Sequence, residues 1–219
     1  MVRTAIAMAK KDLRLEWRAR VLINQVLPFV FVVIILFAFG FDAKVEILGQ
    51  VTPGLFWVTS FFGLELAIAR SVGIEGENQA QVGLVMMGVN PRGMFLGKVF
   101  AVVVEMLALE AVLSVGIAVL FNTPLHEVPL LALSALIADI GVTTVGIVLA
   151  GVTEGLSGSL LPLLLFPVVS PVLLSATKVW QYGLSGSLAK AVPWSELLVG
   201  FSLIYLVLGI LVYGVVLEG

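Results

Sequence analysis

Four carboxylates stand in stretches too apolar to hold an unprotected charge: Glu65, Glu105, Glu110 and Asp139. An acid in hydrocarbon is costly unless it faces protein, takes up a proton or finds a partner. Two kinds of chemistry follow. The acids could line a proton or cation path, or a polar seam between subunits. Alternatively, protonated carboxyls could tie helices together by hydrogen bonds. Glu65 has Arg70 five residues on, about 140° round a helix, and Glu105 and Glu110 repeat that spacing, so neither pair shares one face. At about 1.5 Å per residue, Glu65 and Glu105 fall towards one membrane surface, and Glu110 and Asp139 nearer the midplane.

Other reactive residues are sparse. His126 is the only histidine and there is no cysteine, so thiolate chemistry and disulfides are excluded. One imidazole cannot build a protein-only metal site. His126 is a candidate haem ligand or a solvated loop residue. The run Gly93-Met94-Phe95-Leu96-Gly97-Lys98-Val99 superficially resembles a phosphate-binding loop. It is one residue short between the glycines, and Val99 stands where Mg²⁺ needs a hydroxyl. Gly93 and Gly97 also form a GxxxG, read as a close helix contact or as chance. No catalytic residue, metal site or bound cofactor is expected.

The elements that position these residues follow from composition. Hydrophobic residues make up 60% of 219 and charged residues 12%, against roughly 25% charged in soluble domains. Mean hydropathy is +1.16. The chain reads as all-α and polytopic. Six apolar stretches approach the roughly 20 residues that cross a bilayer: residues 21–41, 51–69, 94–121, 128–152, 157–177 and 197–217. They leave room for one transmembrane domain over residues 1–219. Residues 1–20 are too charged for a secretory signal, so the first span is expected to be retained.

Nine of the twelve Lys and Arg residues fall on one side of such a bundle: Arg3, Lys10, Lys11, Arg14, Arg18, Arg20, Arg70, Arg92 and Lys98. Lys44, Lys178 and Lys190 fall on the other. That asymmetry predicts both termini in the cytoplasm, with Trp180, Tyr182 and Trp194 at the outer interface. Within residues 1–20, Val2, Ile6, Ala9, Leu13 and Trp17 share one arc and the basic residues the next. This predicts an amphipathic helix in the headgroup layer, or a simple basic anchor. Pro162, Pro167 and Pro171 predict a kinked or broken fifth span unless neighbours satisfy the freed carbonyls. Residues 178–196 read as short helices dipping into the outer leaflet or as an outside loop.

Residues 70–93 form a cytoplasmic segment in this topology. They carry Glu75 and Glu77, then Val85, Met86 and Met87, and end at Asn90 and Pro91. Apolar Val85, Met86 and Met87 are unneeded in a bare loop. The pattern suits a short surface helix that presents a knob to a soluble partner.

Four stretches together resemble one family: Lys10-Lys11-Asp12-Leu13-Arg14-Leu15-Glu16, Thr52-Pro53-Gly54-Leu55-Phe56-Trp57-Val58, the acidic segment through Asn90-Pro91-Arg92 to Leu96-Gly97-Lys98, and Leu161-Pro162-Leu163-Leu164-Leu165-Phe166-Pro167. Across the whole chain the sequence is similar to ABC-2 type permeases, and more narrowly it resembles the CcmB family of haem-exporter permeases in cytochrome c maturation. Glu75 and Glu77 are followed here by a looser, more polar run than that family leads one to expect.

The resemblance implies a homodimer in the inner membrane of a bacterium or archaeon, working with two copies of a separate ATPase that binds ATP and Mg²⁺. It implies that Arg70, Glu75, Glu77, Val85, Met86, Met87, Asn90 and Pro91 receive the ATPase stroke. A haem-handling membrane protein and a haem chaperone would be further partners, with haem as cargo or ATP used to release the loaded chaperone. No nucleic-acid partner is expected. The competing readings are an ABC-2 permease for a lipid, drug or polysaccharide, and a non-transporting membrane scaffold.

Overall fold

Inside hydrocarbon a backbone must satisfy its own N–H and C=O groups, which leaves helices and closed barrels. The computed structural model describes residues 1–20, 24, 26–42, 44–77, 88–153 and 160–218, with the backbone alone at 19, 70–77 and 216–218. Seven helices run through the described residues: α1 (Val2–Ala19), α2 (Leu27–Gly40), α3 (Val45–Glu77), α4 (Pro91–Leu120), α5 (Val128–Val152), α6 (Leu160–Leu184) and α7 (Leu188–Glu218). The all-α, polytopic expectation holds. Five of these helices, α3 to α7, are long and apolar enough to cross a membrane.

Helix α2 is apolar but has only 14 residues, about 21 Å at the α-helical rise, short of the roughly 30 Å core. Helix α3 runs past the apolar stretch at 51–69 and carries residues 70–77 as a helical extension. Asn90 starts α4: its side-chain oxygen accepts from the Gly93 N–H at 3.1 Å, and Pro91 takes the first turn. An Asn cap followed by Pro satisfies one orphan N–H and removes another.

Residues 178–196 form no separate element. Helix α6 runs to Leu184 and α7 begins at Leu188. The turn between them depends on Gly186 at φ +66°, a conformation that costs glycine little. The prolines leave α6 unbroken. Pro171 has no N–H for the Pro167 carbonyl, and Ser170 Oγ donates to that oxygen at 2.8 Å. Tyr205 of α7 donates its hydroxyl proton to the Val168 carbonyl at 2.5 Å, which ties α7 to the proline-rich turn.

The bundle has two ends. At one, α1 lies against the start of α4, and Phe95 packs on Tyr213 of α7 with ring centroids 5.0 Å apart. Met8, Met94, Val99 and Ile147 complete a small core there. At the other end are the start of α3, the connection 121–127 and the α6–α7 turn. Between them the main core joins α3, α4, α5 and α6, with α2 and α7 against its sides.

Helix α1 is amphipathic as expected, but its faces are used differently. Met8 and Ala9 are buried against α4, whereas Val2, Ile6 and Trp17 remain exposed. The contact is made by Gly93 and Gly97. A Cβ on Gly97 would lie 2.6 Å from the Ala5 carbonyl oxygen and from Met8 Cβ, and one on Gly93 would lie 2.7 Å from the Met1 carbonyl. The GxxxG is therefore a helix contact. Lys98, counted among the cations of that side, is fully buried beside it.

Candidate functional site

Glu110 on α4 and Asp139 on α5 lie 29 positions apart in sequence and side by side in the bundle. Ser60 of α3 faces Glu110 from the third side. All three are buried, each 3% exposed. Both Glu110 carboxylate oxygens, Asp139 Oδ2 and Ser60 Oγ lack a hydrogen bond of good geometry. Small residues let the helices come this close. Ala135, Ala138 and Gly141 are buried on α5, and on the α7 side of that helix a Cβ on Gly141 would meet the Ser202 backbone at 3.1 Å. Small residues at helix seams are how backbones approach in lipid.

Beside this junction lies a cleft of about 230 Å³, walled by Phe56, Leu107, Glu110, Leu131, Ala135 and Trp180 and reaching Leu125 and Val128 next to the 121–127 connection. Trp180 is stacked on Phe56 with centroids 3.7 Å apart and meets Trp57 edge-on at 6.1 Å. It is 2% exposed, so its ring packs into the core close to the α6–α7 turn. The indole N–H groups of Trp57 and Trp180 have no acceptor. The site is thus a largely apolar cleft with Glu110, the partner of Asp139, in its wall and a free N–H donor beside it. Such an arrangement can hold a proton or a small polar guest.

The remaining sequence-selected residues are dispersed. Glu65 on α3 and Glu105 on α4 are half-buried, and neither is among the groups acting on Glu110 or Asp139. His126 is exposed in the 121–127 connection. Among the described residues no group of three or more His, Cys, Asp or Glu could hold a metal ion.

Arg70, Glu75 and Glu77 lie on the helical extension of α3, where only the backbone is described, so the Glu65–Arg70 pairing lies outside the described side chains. Val85, Met86 and Met87 lie outside the described residues. Asn90 and Pro91 cap α4 beneath the end that α1 covers.

Sequence reasoning missed the Phe56–Trp57–Trp180 cluster and the seat for α1. The first had a signal in Trp57, which follows Phe56 inside an apolar stretch. The second had one in the GxxxG itself. What neither showed was the partner.

A bundle of apolar helices, five of them long enough to cross a bilayer, with an amphipathic helix bound to one end is the architecture of a multi-pass integral membrane protein. Residues 3–218 match the family model of the CcmB protein, and the chain belongs to the CcmB family. It is also similar to Heme exporter protein B of Rhodobacter capsulatus, 28% identical over 202 residues that cover 87% of this chain and 88% of that one.

Proposed function

We propose that this chain is the membrane permease subunit of an ABC-type haem exporter that serves cytochrome c maturation. The match to the CcmB family across residues 3–218 carries the reading. The similarity to a protein named as a haem exporter supports the cargo. On this reading residues 1–219 form one permease domain that binds no cofactor of its own. ATP and Mg²⁺ sit on a partner ATPase, and haem is cargo or leaves on a chaperone that ATP hydrolysis releases. The complex holds a second copy of the chain, a haem-handling membrane protein and the haem chaperone, in the inner membrane with both termini cytoplasmic. The basic residues at the α1 end support that orientation.

Gentle purification of the tagged protein from its native membranes, followed by mass spectrometry, tests this. An ATPase together with haem-handling proteins is the expected result. An ATPase without haem proteins would keep the permease and discard the haem. No ATPase, in a preparation that retains other weakly bound subunits, would favour a membrane scaffold. In the purified complex, reversing charge at Glu75 and Glu77 together is expected to abolish most permease-dependent stimulation of ATP hydrolysis while membrane insertion is unchanged. Stimulation at the wild-type level would remove the α3 extension from the coupling path.

A further inference from the structure

The polar junction at α3, α4 and α5 has no role in the family reading. Two acids from different helices face each other, and the groups acting on Glu110 are Ser60 and Asp139, while only Glu110 acts on Asp139. Among the described residues, then, no cation of α1, α2, α3, α6 or α7 offsets the pair. Two negative charges this close in a low-dielectric interior repel strongly, so one negative charge at most is tolerable.

Helix–helix bonding by permanently protonated carboxyls would account for a neutral pair, but it would leave the oxygens satisfied. Both Glu110 oxygens, Asp139 Oδ2 and Ser60 Oγ lack a hydrogen bond of good geometry, although Ser60 and Asp139 lie within reach of Glu110. The cleft supplies an independent sign of a guest: Trp180 Nε1, buried in its wall, is a donor with no acceptor. Buried polar groups left open in this way are occupied by water or ligand when room exists, and about 230 Å³ is room for several waters.

We infer that Glu110 and Asp139 form an exchangeable proton site, in which one proton is shared between the two carboxyls and exchanged with water entering the cleft past Leu125 and Val128. Loss of the shared proton places a second negative charge between α4 and α5 and pushes those helices apart. Proton occupancy therefore sets how tightly they pack. The route opens at the end of the bundle that carries the 121–127 connection, opposite the end covered by α1.

Dicyclohexylcarbodiimide is the probe, because it partitions into membranes and reacts with protonated carboxyls. The acid proton moves to a carbodiimide nitrogen, the carboxyl oxygen bonds to the central carbon, and acyl migration leaves an N-acylurea with nothing lost. The protein is labelled in its native membranes across a pH series, in sodium chloride or choline chloride, and adducts are mapped by mass spectrometry.

The expected result is an adduct on Glu110 or Asp139 that declines about tenfold per pH unit above its transition and is the same in both salts. Glu110→Gln, which keeps shape and hydrogen-bonding capacity, is expected to abolish the adduct at position 110 without altering detergent stability. Protection by sodium at fixed pH would make the guest a metal cation and overturn the proposal. So would labelling that is flat with pH, or no adduct on either acid while Glu65 reacts.

Discussion

Replacing Gly97 with leucine is expected to lift α1 off α4. A Cβ there would lie 2.6 Å from the Ala5 carbonyl oxygen and 3.2 Å from the Ala9 nitrogen, both backbone atoms of α1, so no side-chain rotation relieves the clash. Overpacking of this kind costs about 1–3 kcal/mol, and the whole helix can escape by moving into the headgroup layer, where its exposed Val2, Ile6 and Trp17 already suit it. The absence of native cysteines permits a clean readout. Met8 is 5% exposed beneath α1, and Met8→Cys is expected to react slowly with a maleimide. Adding Gly97→Leu is expected to raise that rate at least about tenfold, as a shift of about 1.4 kcal/mol in local opening requires. Gly97→Ala brings the same Cβ and is expected to give an intermediate rate. An unchanged rate in the leucine variant would mean that α1 does not rest on this glycine.

The same contact shows where sequence reading reaches its limit. A GxxxG says that something comes close, but it carries no address. Gly93 and Gly97 meet Met1, Thr4, Ala5 and Met8 only because α1 folds back across the start of α4. The acids were legible one at a time, since each interrupts an apolar run. The pairing of Glu110 with Asp139 was not, because it depends on how α4 and α5 turn after the 121–127 connection.

Hydropathy located the long helices but not their ends. Residues 70–77 are too polar to register as membrane helix and nevertheless continue α3. Gly186 was visible as a glycine, yet its positive φ, which lets residues 185–187 turn tightly between α6 and α7, is a property of the folded chain. The prolines of α6 left the outcome open; Ser170 takes up the Pro167 carbonyl that Pro171 frees, and Tyr205 ties the same stretch to α7.

Trp180→Ala is expected to be the most damaging single change in the core. The ring lies at 3.7 Å from Phe56 and 6.1 Å from Trp57, measured between centroids. Inside a bilayer no hydrophobic force refills the gap, so the loss is of dispersion contacts and of the cavity left behind. Truncating a buried Trp costs on the order of 3–5 kcal/mol in soluble cores. A comparable loss here would move unfolding to markedly lower detergent denaturant, followed by circular dichroism. Trp180→Phe keeps a stacked ring on Phe56 and is expected to retain most of the stability.

The cavity also joins the existing cleft and widens the path to Glu110. Hydrogen exchange is therefore expected to rise over residues 107–114 of α4, which line the cleft, and not over residues 93–99, which α1 covers. A uniform rise along α4 would mean global loosening, and the local role of Trp180 in the cleft wall would be lost.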